Sequence, residues 1–434
     1  MTIKAVISAL GMRRQIQHQA EQVLTHHTGG PVSLRLSSFI RTPSVCRLRV
    51  RTSPVELGES LIMKGIRYFE DRTGVETRYP APQWMFFNDW AGLQFLQKEA
   101  SDPLIVPRLY ASCHQPALLL MQDLKPYAHL GTFLQGRDAQ QATETLKLWG
   151  AALGRLHAST IGKQMAFNTL REALAPRTAS WSWVPPWQRA SDIYDQLISS
   201  IPAHVFKQGF ESFQWMLWTL RQTCKTLALP CTMQIETELA EVIQALSSPG
   251  PFLAYTHGDP CSENCLLDDQ GLKFVDFENG AYRHALFDAV YPRMGFPTCW
   301  NGQQVPQAVV EQTEQHYRTT LTAGCPEAAD DQLFAQALVH ACTYWTLLSC
   351  QFDALNRLTI HDPSFCPSDR QTTMQQHILF RFERLAQITA ETGYLECLGD
   401  LFQTMSTILQ KRWPVQTHQL PFYPAFKNFD FACI

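Results

Sequence analysis

HGDPCSENCLLDDQGLKFVDFEN, residues 257–279, carries the reading of this chain. It sets a carboxylate, Asp259, five residues before an amide, Asn264, in a loop too polar for a core. A second carboxylate, Asp276, follows in VDFEN. Asp269-Gln270-Gly271 separates two apolar runs, and a three-residue loop with glycine in the left-handed position is a common hairpin closure. That closure pairs Asp268 with Leu272, Leu266 with Phe274 and Asn264 with Asp276. The amide and the carboxylate are then predicted opposite each other, with Cβ atoms about 5 Å apart. Asp259, in the loop leading into the hairpin, shares that space. Carboxylates this close repel unless one is protonated or a cation lies between them. A few oxygen ligands favour magnesium, completed by water and phosphate oxygens, over zinc. With Asn264 and Asp276 on the metal, Asp259 is left to accept a proton from an incoming hydroxyl.

Working outward, the first third alternates. VSLRLSSFI (32–40), VCRLRVR (45–51) and SLIMKGI (60–66) read as strands separated by turn-like segments. MFFNDWAGLQFLQKEA (85–100) has Phe86, Trp90, Leu93, Phe95 and Leu96 at helical spacing, and two further strands follow near 108–113 and 117–122. A helix is predicted over 12–27, ended by Gly29-Gly30. From about 139 helical patterns take over: 139–159, 188–200, 205–228, 234–247, 305–323, 331–355, 371–393 and 395–412. Strand signals there are confined to 252–256, 264–268 and 272–277. The fold class is α+β: a helical extension (1–31), an antiparallel-sheet unit with one helix (32–123) and a helical remainder (124–434). The remainder holds the loop 257–264, the motif 276–278 and a helical insertion at about 160–250.

The paired motifs resemble the catalytic and metal-binding segments of the aminoglycoside phosphotransferase and choline kinase group, small-molecule kinases with a two-lobed protein-kinase-like fold. The protein-kinase pattern is H-R-D-x-x-x-x-N followed by D-F-G. Here the Asp-to-Asn spacing is kept, while Gly258 stands for the Arg and Glu278 for the final Gly, as in the small-molecule branch. The resemblance implies that Asp259 receives the acceptor's proton and that Asn264 and Asp276 hold Mg2+. It further implies that Lys64 in SLIMKGI contacts the ATP phosphates. Its helix partner would be Asp89, where the family more often has Glu. ALLLMQDL (117–124) resembles the hinge strand, which sets adenine beside the backbone of Gln122, Asp123 and Leu124. LGRLHAS (153–159) resembles the helix before the catalytic loop, RHALFDAVY (283–291) the segment whose Asp288 braces it, and KRWP (411–414) also looks familiar. The loop FIRTPSVC (39–46) departs from a phosphate cradle: it has no glycine, and Pro43 offers no N–H, leaving Ser44 to contribute a hydroxyl and an amide.

Composition narrows the classes. The chain has 434 residues, is 45% hydrophobic and 17% charged, and has a net charge of −3. That is ordinary globular composition without a polybasic footprint for nucleic acid or acidic membrane. No stretch reaches 18 apolar residues, and the N-terminus lacks a signal-peptide pattern, so a cytoplasmic protein is expected. Thirteen irregularly spaced cysteines read as reduced, small hydrophobes, Cys261 among them. WSWVPPW (181–187) reads either as a packed loop or as an aromatic surface for a cationic acceptor. The leading expectation is ATP-dependent phosphorylation of a hydroxyl on a small molecule. A nucleotide-binding regulator without turnover and a metal-dependent phosphoester hydrolase stand as alternatives.

Overall fold

A computed structural model describes residues 3–40, 45–65, 83–100, 105–115, 117–174, 213, 215–299, 301–350, 355 and 372–427. Ser44, WSWVPPW and the helix expected at 188–200 lie outside the described residues. The chain forms two compact units. The first comprises Met1–Ala128, Met165–Trp181 and Leu266–Gly280; the second comprises His129–Gln164, Ser182–Cys265 and Ala281–Ile434.

The first unit is built on α1 (Ile3–Thr28), β1 (Ser33–Phe39), β2 (Val45–Thr52), β3 (Ser60–Gly65), α2 (Gln83–Glu99), β4 (Leu109–His114) and β5 (Ala117–Gln122). The strands make one antiparallel sheet in the order β1-β2-β3-β5-β4. Alternation in β2 decides its faces: Cys46 and Leu48 are buried, whereas Arg47 and Arg49 point the other way. The α1 helix lays Ala20, Val23 and Leu24 onto Leu34, Leu36, Leu48, Leu61 and Leu120. It also covers the edge strand, since Glu21 Oε1 accepts from Leu34 N at 2.8 Å and Gln17 Oε1 from Leu36 N at 3.4 Å. Central β5 is apolar on both faces, with Leu118 and Leu119 both buried, because each face is covered. Helix Gln164–Leu174 adds Phe167 against Phe95, ring centroids 5.5 Å apart.

The second unit is helical: Ala139–Thr160, Trp215–Leu227, Met233–Ser247, Gln307–Leu321, Asp331–Ser349, Met374–Thr392 and Glu396–Arg412. Gly150 and Gly154 let the first of these press against Gln307–Leu321; a Cβ at either glycine would collide with the carbonyl oxygen of Thr313 or Tyr317. Strand Leu253–Thr256 pairs antiparallel with Ala281–His284. The latter strand has no period-2 pattern of its own, and only its partner defines it.

Candidate active site

In the first unit three elements converge on Lys64. Strand β3 carries the lysine, which is register-paired with Val45 and Leu119 on its two neighbours. Its Nζ lies 2.6 Å from Asp89 Oδ2, 2.6 Å from Asp276 Oδ1 and 3.9 Å from Glu278 Oε2. Burial would pull the lysine pKa down, but Asp276, Asp89 and Glu278 outweigh it, so the ammonium stays charged. Burial raises the Asp89 pKa, and Asp276 adds to this against the opposing pull of Lys64.

Asp276 sits in left-handed backbone, φ 72° and ψ 59°, at the entry to the turn Phe277–Asn279. A residue with a side chain is uncommon there and needs its neighbours to hold it. Helix α2 does so through two consecutive buried polar residues. Asp89 Oδ1 accepts from Phe277 N at 2.8 Å. The Asn88 amide donates to Gly280 O at 2.7 Å, to Glu278 O at 3.1 Å and, more loosely, to Phe277 O at 3.4 Å. One side of α2 therefore fixes both the lysine and the loop that presents Asp276.

The hairpin before Asp276 corrects the expected register. Its strands, Cys265–Asp268 and Gly271–Phe274, are joined by Asp269 and Gln270 alone, not by three residues. Asp268 Oδ1 captures Gln270 N at 2.9 Å, an Asx turn that tightens the bend, and Gly271 starts the returning strand at φ 122°. The strands end at Phe274 and begin at Cys265, so neither Asn264 nor Asp276 is a ladder residue.

In the second unit, Asp259 is oriented from several sides. Thr298 Oγ1 donates to Asp259 Oδ1. Asn264 Nδ2 donates to the Asp259 carbonyl at 2.9 Å and approaches Oδ2 at 3.3 Å. The Asn264 amide is thereby turned so that Oδ1 is left as its acceptor. Buried Asp288 accepts from His257 N at 2.6 Å and Gly258 N at 3.1 Å, and His157 Nε2 lies 3.4 Å from it. Burial would raise the Asp288 pKa, yet the hydrogen bond and charge of His157 bring it below the usual carboxylate range. Asn at 288 has only one acceptor oxygen for two backbone N–H groups. We expect Asp288→Asn to cost about 2 kcal/mol and to lower turnover by loosening the loop. Urea denaturation checks this, and a stability within about 0.5 kcal/mol of the parent contradicts the brace.

The remaining candidates divide. Gln122 is used by the sheet: its N–H donates to Arg108 O at 2.7 Å and its Oε1 accepts from Arg108 N at 3.2 Å. The Asp123 carboxylate is held by Arg47 Nε at 2.5 Å, Arg47 Nη2 at 3.1 Å and Ser60 Oγ at 2.6 Å. Burial pushes its pKa up, and these hydrogen bonds bring it down further. Only its backbone is open to a ligand. Among the described residues neither Asp123 O nor Leu124 N has a hydrogen-bond partner. Cys261 is not a free thiol as expected: it is joined to Cys299, with Cα atoms 5.6 Å apart across 38 residues. No spacing motif announces a pair so distant in sequence.

The model of the phosphotransferase enzyme family matches residues 75–323. The chain belongs to this family. Among solved structures, this phosphotransferase is similar to choline kinase LicA from Streptococcus pneumoniae at 12% identity. That match covers 88% of this chain and 99% of that one, with a TM-score of 0.39. A second similar structure is a Plasmodium vivax ethanolamine kinase, at 12% identity over 86% and 83% of the two chains, with a TM-score of 0.40. No curated protein matches the sequence. Reading the phosphotransferase sequence alone missed Asn88 and Thr298. The first left a signal: Asn88 and Asp89 interrupt an otherwise apolar helix face, and a buried polar pair is informative where a buried Leu is not. Thr298 left none.

Proposed function

We propose that the protein is an ATP-dependent kinase that phosphorylates a hydroxyl of a small molecule with magnesium. The observation that carries this is Lys64 bound at 2.6 Å by both Asp89 and Asp276. A charged ammonium on a strand, held in place by a helix acid and by the carboxylate of VDFEN, suits phosphate oxygens. Asp123 O and Leu124 N offer an acceptor and a donor to the adenine edge. By the family resemblance, Asn264 Oδ1 and Asp276 would each give an oxygen to a magnesium ion bound with the nucleotide. Among the described residues no group of three His, Cys, Asp or Glu could hold a metal, so phosphate oxygens and water would complete its shell. When bound, the ion neutralises charge on the phosphates.

Asp259 accepts the hydroxyl proton as the acceptor oxygen approaches phosphorus. Thr298 and Asn264 hold that carboxylate in one orientation, so little reorganisation accompanies the transfer. Incubation with ATP, magnesium and a panel of hydroxylated metabolites is expected to give at least one acceptor heavier by one phosphoryl group. Nucleotide binding with no product from any acceptor favours the regulator reading instead. Product formation without nucleotide favours the hydrolase.

A further inference from the structure

A cleft of about 530 Å³ in the second unit lies between helix Met374–Thr392 and the segment around Leu420, and nothing in the phosphotransfer chemistry above uses it. Its volume is in the range of small-molecule pockets. Phe380, Leu420, Pro421 and Phe422 supply apolar wall, while Arg384 and Glu383 supply charge. The wall is held in place by backbone bonds from Gln304 N to Pro421 O at 2.8 Å and from Tyr423 N to Gln304 O at 3.0 Å. Such a wall is preorganised and loses little entropy when a ligand arrives.

Arg384 is the informative residue. Its guanidinium lies 5.1 Å over the Phe380 ring. Nη1 donates to Gln387 Oε1 at 2.7 Å and Gln307 Oε1 at 3.2 Å. Among the described residues no carboxylate pairs with Arg384, and its Nε and Nη2 have no acceptor. Other arginines of this chain are treated differently: Arg293 forks onto Glu314 at 2.7 and 2.6 Å, and Arg47 onto Asp123. The neighbouring Glu383 turns one oxygen away, with Oε1 accepting from Gln410 Nε2 at 2.7 Å and Ser406 Oγ at 3.1 Å. Its Oε2 has no donor among the described residues. Burial lowers the Arg384 pKa, with Arg293 adding to this against Glu383 and Glu391, and burial raises that of Glu383 against Ser406, Arg384 and Gln410, so both charges are short of solvent.

We propose that this cleft binds a small molecule bearing a carboxylate, which docks on the open Nε–Nη2 edge of Arg384. That edge matches a carboxylate with two parallel N–H···O bonds, and the ligand would supply the direct carboxylate contact that Arg384 does not make among the described residues. Glu383 Oε2 would favour a ligand that carries an ammonium beside the carboxylate. The proposal is independent of the kinase reading, because it is tested by binding and not by turnover.

Thermal unfolding of the full chain is followed with glutarate, glutamate or the neutral diamide glutaramide at about 20 mM, enough to reveal millimolar binding. Both acids are expected to raise Tm by about 2 °C, glutamate at least as much as glutarate, with no rise from glutaramide. Arg384→Gln is expected to abolish the rise. Glu383→Gln, which removes the competing charge, is expected to enlarge the glutarate rise while cancelling any preference for glutamate. The proposal fails if neither acid shifts Tm, if glutaramide equals them, or if the rise survives in Arg384→Gln. Should Arg384→Gln not fold, an unchanged glutarate rise in Glu383→Gln overturns it equally.

Discussion

Asp259→Asn is expected to lower kcat by roughly 10²–10⁴ while leaving nucleotide affinity nearly unchanged. The substitution keeps the size of the side chain, and an amide oxygen can still accept from Thr298. What it loses is a site for the proton: an amide nitrogen does not accept one. The amide also turns an N–H toward Asn264 Nδ2, which approaches the carboxylate at 3.3 Å and donates as well, so the pair repels where it formerly attracted. Both effects act on the chemical step. The groups proposed above to meet the adenine, Asp123 O and Leu124 N, are unaltered. Single-turnover phosphorylation of an accepted substrate, with nucleotide titrated by calorimetry, separates the two quantities. Turnover at the parental rate would remove Asp259 from the chemistry.

Lys64→Met has the second large effect, and it acts on both activity and stability. Loss of the ammonium proposed to contact the phosphates is expected to reduce kcat/KM by roughly 10²–10³, in line with removal of one preorganised charge. The same change strips the counter-charge from Asp89, Asp276 and Glu278, all within 3.9 Å of Nζ. Breaking a buried pair in this way costs about 3 kcal/mol. The cost should depend on pH with a definite sign. Asp89 already titrates above its ordinary value through burial and the charge of Asp276. Without Lys64 its pKa rises further. A carboxylate whose folded pKa exceeds its unfolded value binds more protons when folded, so stability is lost as pH rises through the folded pKa and recovered below it. The deficit of the variant relative to the parent should therefore be larger near about pH 8 than near about pH 5. Urea midpoints at the two pH values measure it. A deficit independent of pH would mean that Lys64 does not hold these carboxylates.

Much of this chain could be read from local pattern. Local pattern marked the five strands of the first sheet to within a residue or two: alternation where one face is buried, and a continuous apolar run in β5, where both are. Helical spacing marked Phe86 to Leu96 and Leu146 to Leu156, where one face of each helix is buried. HGDPCSEN and VDFEN pointed to the phosphotransferase enzyme family, to which the chain belongs, because the Asp-to-Asn spacing is fixed by one loop. These are short-range matters, and a sequence states them directly.

Where a side chain finds its partner far along the chain, only the tertiary structure decided. Asn88 and Asp89 grip a turn nearly 190 residues away, as the separations of 188 to 192 residues in these bonds show. Cys261 meets Cys299 38 residues on, whereas the bond from His257 N to Asp288, 31 residues away, was expected from the family resemblance and not from local pattern. The hairpin failed to be legible for a subtler reason. Gly271 suits the third position of a three-residue loop and equally the first position of a returning strand. In the structure Asp268 captures Gln270 N and Gly271 starts the returning strand. Arg384 is the limiting case: that no carboxylate among the described residues contacts it is a property of the packed surroundings, and no arrangement of letters near residue 384 could display it.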